Sequence, residues 1–251
     1  IAVQGFYNNT NYWKLQGLNP DGTPNPAYEK HLDVDNIIDE MIIEYYTGDR
    51  DGPGSLYTNG CNNTIAIANR REPAGWIWLQ HDSEHSLGTG ETDMVNRTYS
   101  NEDSLSRCNV AWLHRKMTDD IEYRTRFGDR VQKHLFNGGL LTVEKGLARV
   151  DKRAAQIDLA IIAESARWGD SKVSTPYTRQ HWLTAVASVR SWISDRRDVL
   201  IQQFRGRNWF PSIDGPTLGH FGGRVLVGFT LTLSAPTGDI WYTTDGSDPR
   251  L

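Results

Sequence analysis

Four carboxylates stand where a chain could handle a metal ion or a phosphate. Asp49 and Asp51 lie in TGDRDGPG, whose Gly48, Gly52, Pro53 and Gly54 end a helical pattern, while Asp82 and Glu84 form a D-x-E pair directly after the strand-like run GWIWLQ. Carboxylates on loops at the ends of rigid elements suit a divalent cation that must also reach phosphate, because Mg²⁺ takes one or two carboxylates plus substrate oxygens. Asn62 and Asn63 fall between the two loops and can add an amide oxygen. The same spacing also fits acidic loop residues that are simply solvated and cap turns. A second pattern overlaps the pair: His81-Asp82-Ser83-Glu84-His85 fits H-x-x-E-H, the inverted zinc-protease signature. That chemistry needs both imidazoles on one face of a helix with the Glu between them as general base. GWIWLQ before it and SLGTG after it speak against a helix, which leaves exposed or hydrogen-bonded histidines as the alternative.

The elements that must hold these residues can be read from periodicity. Ile37, Ile38, Met41, Ile42 and Tyr45 recur at helical spacing, with Asp33 or Asp35 available as a cap, and predict a helix of about three turns with one buried face. TIAIANR and GWIWLQ, separated by REPA, predict a β-hairpin. From Asn101 to Arg205 the pattern is helical throughout, and Leu147, Val150, Ala154, Ile157 and Ile161 form one stripe within it. The opening, Ile1 to about Tyr28, contains the turn cluster NPDGTPNP and reads as a surface loop. Composition shifts to Gly and Pro at RGRNWFPSIDGP, which sets a domain boundary near 207–216. Beyond it, GRVLVGFTLTLS and DIWYTTDG read as two strands of a hairpin.

Composition excludes several classes. Lys+Arg 27 against Asp+Glu 31 gives a net charge of −4, which offers no cationic field for nucleic acid or anionic lipid. No apolar run of about 18 residues occurs, since IIDEMIIEYY and LAIIAESARW are interrupted by carboxylates, so no membrane span is expected. Cys61 and Cys108 are too few for a disulfide framework or a thiolate zinc site. Phosphate-binding G-x-x-x-x-G-K-[ST] and G-x-G-x-x-G loops and the G-x-S-x-G elbow are absent. Sequons at Asn8, Asn62 and Asn96 occur at the frequency that chance supplies in an Asn-rich chain. With Ile1 at one end and TTDGSDPRL at the other, the chain reads as a piece cut at both ends, so a signal peptide would lie upstream.

Taken together, LQGLNPDGTPNP, LDVDNIIDEMIIEYYTGDRD, NNTIAIANR, GWIWLQHDSEHSLG, FGDRVQKHLFNGG and AESARWGD resemble the spore-coat protein H (CotH) family of atypical protein kinases over about residues 16–211. The resemblance implies an α+β fold: the mostly helical C-terminal part of a kinase-like domain, with a small β-hairpin, over residues 1–207. It implies a Mg²⁺- and ATP-dependent transfer of phosphate to Ser or Thr of a protein partner. In that family the loop Asp after the helix is implicated in catalysis and matches Asp51. The pair after the strand binds Mg²⁺ with the ATP phosphates and matches Asp82 and Glu84. The intervening Asn matches Asn63 best, with Asn62 as the alternative register. The sequence departs from the family at Asp49, where Asn is usual, at Gly52, where Trp is usual, and at Glu84, where Asp is common. The family's upstream basic, Gly/Ser-containing segment, which would contact nucleotide, is not in the chain, so the chain alone is expected to be inactive. Residues 208–251 resemble the start of the chitobiase/β-hexosaminidase C-terminal type β-sandwich, whose hallmark matches Trp241 through Arg250. Such modules accompany secreted multidomain bacterial proteins, which implies an extracellular or cell-surface location and further domains of a parent chain. The readings from other classes are a catalytically degenerate kinase fold acting as a surface scaffold or adhesion module, and a zinc hydrolase through HDSEH.

Overall fold

A computed structural model describes residues 5–6, 10–58, 61–71, 74–88, 94, 96–99 and 110–250. The chain divides into two compact units, Ile1–Phe210 and Pro211–Leu251. The first unit is α+β, and its centre is the helix the apolar spacing predicts, α2 (Val34–Thr47), which follows a short α1 (Thr10–Leu15). Asp33 caps α2 by accepting the amide of Asn36, and Gly48 ends it in the left-handed region at φ 64°, donating its N–H to the carbonyls of Glu44 and Tyr45. All five predicted stripe residues of α2 are buried. Against them pack α3 (Val110–Met117), through Val110, Ala111 and Met117, and α4 (Ile121–Leu135), through Tyr123, Phe127, Val131 and Leu135. The C-terminal part of α6 (Arg179–Gly206) adds Leu200, Ile201 and Phe204, followed by Trp209 and Phe210. His114 sits fully buried among the rings of Tyr45, Phe127 and Trp209, bonded to the Tyr123 hydroxyl at 2.8 Å, and burial drives its pKa down to about 3.

The hairpin forms as expected, β1 (Thr64–Ile67) pairing antiparallel with β2 (Ile77–Gln80) so that Thr64 faces Gln80. It is fastened to α2 rather than to a larger sheet. Asn36 donates to the Trp78 carbonyl at 3.0 Å and accepts the Trp78 N–H at 2.6 Å, so one side chain satisfies the backbone groups that a third strand would otherwise pair. On the other flank of α2, Arg126 and Arg130 of α4 bind Asp35 and Asp39, and His134 lies 3.0 Å from Asp39.

The structure changes the reading of the two ends of the chain and adds to that of the middle. The opening segment is not only a surface loop: NPDGTPNP makes turns, but Phe6 and Tyr12 are buried, and a six-residue helix carries too few apolar residues to show a period. The stripe on α5 (Val143–Trp168) is half-covered, because it packs on α6, and only Gly146 of α5 is fully buried. Leu159 remains 81% exposed. In the second unit the strand pair is β3 (Thr217–Leu218) with β4 (Leu233–Ser234), and DIWYTTDG is not a strand. Alternating apolar residues hold a strand only when a second layer buries one face, and Leu226, Val227 and Trp241 are exposed in this unit. The Asp245-Gly246 turn is present, with Gly246 at φ 82° and the Asp245 carboxylate accepting the amide and hydroxyl of Ser247. Among the described residues no helix is long and apolar enough to cross a membrane. Asn8 and Cys108 lie outside the described residues, while Cys61 is exposed.

Candidate functional site

The left-handed cap at Gly48 turns the chain sharply, and the two acids that follow part company. Asp49 points inward and is 1% exposed. Its carboxylate accepts the amide of Asp51 at 2.8 Å and the side-chain amide of Gln80 at 3.4 Å, and its carbonyl accepts Arg97 Nε at 2.6 Å. Arg97, from the 3₁₀ turn Arg97–Tyr99, also donates to the carbonyl of Gly54 and so closes the loop. Asp49 is therefore the staple of the loop. Asp51 points to the opposite side, toward Asn62 and Asn63.

The Asp51 carboxylate accepts the Ser55 hydroxyl at 2.5 Å and Asn63 Nδ2 at 3.4 Å. Partial burial raises its pKa, but the bonds from Ser55, Asn62 and Asn63 and the nearby His85 outweigh burial and leave it below the usual range. Asn63, at φ 43°, also donates to the backbone carbonyl of Asp82 at 3.1 Å. One side-chain amide thus bridges the Asp51 loop to the Asp82 loop. Backbone bonds join the same loops, Arg50 N–H to the His85 carbonyl at 3.1 Å and Leu87 N–H to Thr47 at 2.7 Å. Asp82 itself stands exposed at φ 52°, and its carboxylate has no protein partner among the described residues. Glu84 is exposed beside His85, 3.6 Å away, and the His85 ring packs on Tyr57 with centroids 5.0 Å apart. The structure therefore brings together Asp51, Asn63 and the Asp82 backbone, and sets Glu84 against His85.

Two readings of the sequence are tested by this geometry. Residues 81–83 have no regular structure and 84–85 lie in a turn, so the histidines of HDSEH are not one helical turn apart. The zinc-hydrolase alternative loses the helix it requires. Among the described residues no three His, Cys, Asp or Glu side chains converge on one cation. A Mg²⁺ ion that arrives with phosphate needs fewer protein ligands than that, and the uncommitted Asp82 carboxylate supplies a hard oxygen suited to it.

Beneath the loop lies a group of acids that spacing alone did not single out. Glu44 is 4% exposed, its Oε1 accepts Gln80 Nε2 at 3.0 Å, and a Cβ added at Gly52 would come within 2.3 Å of its Oε2. Gly52 thus lies directly over the Glu44 carboxyl, and a side chain at position 52 would have to push that carboxyl aside. Burial, with Asp49 and Glu40 adding repulsion, pushes Glu44 up to about 9, and burial alone pushes Glu40 to about 7. Asp49 is likewise raised, chiefly by burial. A signal was available: Glu44 lies seven residues after Ile37, on the same stripe as the core side chains.

Glu40 and Glu44 hold protons in the folded state that the unfolded chain has already released, so stability falls as pH rises. The melting temperature is expected to decline from about pH 5 upward, each carboxyl contributing up to about 1.4 kcal/mol per pH unit, Glu40 to about pH 7 and Glu44 to about pH 9, while His114, neutral in the folded state, offsets one such share below about pH 6.5. Glu44→Gln should flatten the curve above pH 7. Melting curves of both proteins at several pH values check it, and an unchanged slope in the variant refutes the assignment.

A family model described as CotH, CotH kinase protein, matches residues 10–200 of the chain. The chain belongs to the CotH kinase family. No curated protein and no solved structure matches it. Within this CotH chain, the match covers α2, the hairpin and both loops that carry Asp51, Asn63, Asp82 and Glu84. The family relates the chain to protein kinases and, in general terms, to nucleotide and metal use.

Proposed function

We propose that these loops are the acidic half-site of a Mg²⁺-dependent kinase that transfers the γ-phosphoryl group of ATP to a Ser or Thr hydroxyl of a protein partner. The observation that carries the reading is an Asp51 carboxylate that accepts three side-chain hydrogen bonds, from Ser55, Asn62 and Asn63, and is tied through Asn63 to the backbone of Asp82, whose own carboxylate is uncommitted. Asp51 accepts the hydroxyl of the incoming Ser or Thr and aims its oxygen at the γ-phosphorus. Its lowered pKa makes it a weak base, so its role is chiefly orientation, and its carboxylate takes the hydroxyl proton only late, as the new P–O bond forms and the bond to the ADP oxygen breaks; a loose phosphoryl transition state asks for little more. Asp82 and Glu84, with Asn63, would hold Mg²⁺, which supplies neutralisation of the phosphate charge.

The remaining nucleotide contacts come, on this reading, from the basic, Gly/Ser-containing segment that precedes the site in the family. Residues 208–251 are then the start of an accessory β-sandwich of the chitobiase C-terminal type, and the parent polypeptide acts outside the cytoplasm or at the cell surface. Incubating that parent polypeptide with γ-labelled ATP, with and without Mg²⁺, tests the reading. Label on Ser or Thr that requires Mg²⁺ supports it. Absence of both nucleotide binding and transfer favours a surface scaffold, the reading to which the departures at Asp49 and Gly52 lend weight.

A further inference from the structure

Gln80 is the last residue of β2, and its pairing with Thr64 places it beside the start of β1, directly after Asn63. The chain leaves Gln80 straight into the loop that carries Asp82. Its side chain turns away from that loop's exposed acids and toward the acids under the other loop. Nε2 lies 3.0 Å from Glu44 Oε1, 3.4 Å from Asp49 Oδ2 and 2.7 Å from Ser83 Oγ. Asp49 passes the connection on, since its other oxygen accepts the Asp51 amide at 2.8 Å. Ser83 is the neighbour of Asp82, and its carbonyl accepts the Ser86 hydroxyl at 2.6 Å, which closes the second loop on itself. One carboxamide therefore stands a single residue from each of the two acids the site depends on. Gln80 Oε1 is buried with no hydrogen-bond partner, so the amide is oriented by what its nitrogen binds.

We propose that Gln80 is a positioning residue whose carboxamide holds both loops of the site in register, through Glu44 and Asp49 on one side and Ser83 on the other. Asn63 bridges the loops at the surface, and Gln80 bridges them from below. Without the lower bridge, Asp49 and Ser83 lose their common partner, and the separation of Asp51 from Asp82 is held only by Asn63 and by the two backbone bonds at Arg50 and Leu87, so it is less tightly set. The consequence for catalysis rests on the phosphoryl-transfer reading above; the positioning itself does not.

The test compares the wild-type chain with Gln80→Leu, of similar volume and without hydrogen bonds, and with Glu44→Gln, which keeps an amide oxygen for the Gln80 donor. Amide hydrogen exchange is followed in segments 48–56 and 81–88, with 34–47 and 121–135 as references. In Gln80→Leu both loop segments should exchange about tenfold faster while the references keep their rates, and Glu44→Gln should stay within about twofold of wild type at pH 7. In the parent polypeptide Gln80→Leu should lower kcat about tenfold with KM for ATP little changed, because misplacement of the acids harms the transition state more than nucleotide binding. Acceleration of one loop only, of neither, or of all four segments together overturns the proposal. So does an unchanged kcat in an active parent polypeptide. If the exchange result holds while the wild-type parent transfers no phosphate, the phosphoryl-transfer reading falls and the positioning role stands.

Discussion

Asp51→Asn is expected to reduce phosphate transfer by the parent polypeptide by at least about 100-fold while leaving the melting temperature close to wild type. The substitution preserves size, so the loop between Asp49 and Ser55 keeps its shape. What changes is the second oxygen. At present Asp51 Oδ2 accepts Asn63 Nδ2 at 3.4 Å; an Asn amide there would face another donor, and one of the two must rotate. If Asn63 rotates, its bond to the Asp82 carbonyl at 3.1 Å goes with it, so the variant removes the charge that orients the hydroxyl and also loosens the bridge to Asp82. The Ser55 hydroxyl at 2.5 Å can still be accepted by Asn Oδ1, which is why stability should survive. Steady-state kinetics beside a melting curve separate the two effects. Activity within a few-fold of wild type would remove Asp51 from the mechanism.

The second large effect concerns the C-terminal end of α2, where the Asp49–Asp51 loop begins. Arg196 of α6 is 0% exposed, donates from Nε to the Tyr46 carbonyl at 3.1 Å and from Nη2 to the Tyr45 carbonyl, and stacks over Trp192 with its guanidinium carbon 4.9 Å from the ring centroid. Trp192 Nε1 reaches the same Tyr46 carbonyl at 3.3 Å. No carboxylate pairs with Arg196 among the described residues; its counter-charge is the row of carbonyls at the C-terminus of α2. Burial lowers its pKa to about 10, which still leaves it protonated at neutral pH. Arg196→Ala opens a cavity and strips donors from two buried carbonyls, for an expected loss of about 3–5 kcal/mol. In a unit of this size that is a drop of about 10 °C in melting temperature. Arg196→Met keeps most of the volume and should lose about half as much, the share carried by the hydrogen bonds. A Met variant as stable as wild type would assign the whole effect to packing. The functional corollary is that α2 ends where the Asp49–Asp51 loop begins, so a loosened end of α2 moves the site as well.

The elements and the exposed half of the site were legible because each leaves a local trace. Ile37, Ile38, Met41, Ile42 and Tyr45 mark a helix by spacing, Asp33 and Gly48 mark its ends by chemistry, and alternating β-branched and aromatic residues mark the hairpin. Asp51, Asp82 and Asn63 stand out as polar residues in loops that rigid elements terminate. HDSEH shows the limit of that approach: its spacing matches a zinc signature, yet the residues before it pair as a strand and remove the helix the signature needs. DIWYTTDG shows it too, since its alternation finds no second layer within its unit to bury one face.

What the amino-acid sequence determined by itself is the order of the elements and, through residue type and short spacing, the loop carboxylates and amides as candidates, which the resemblance to the family then narrowed to Asp51, Asn63, Asp82 and Glu84. What only the tertiary structure decided is which acids are charged and which way they face. Glu44 and Gln80 are 36 residues apart, Asp49 and Arg97 are 48 apart, and Tyr46 and Arg196 are 150 apart. A carboxyl keeps or loses its proton according to the water and donors around it, and here those donors arrive from elements that meet only when the chain has folded.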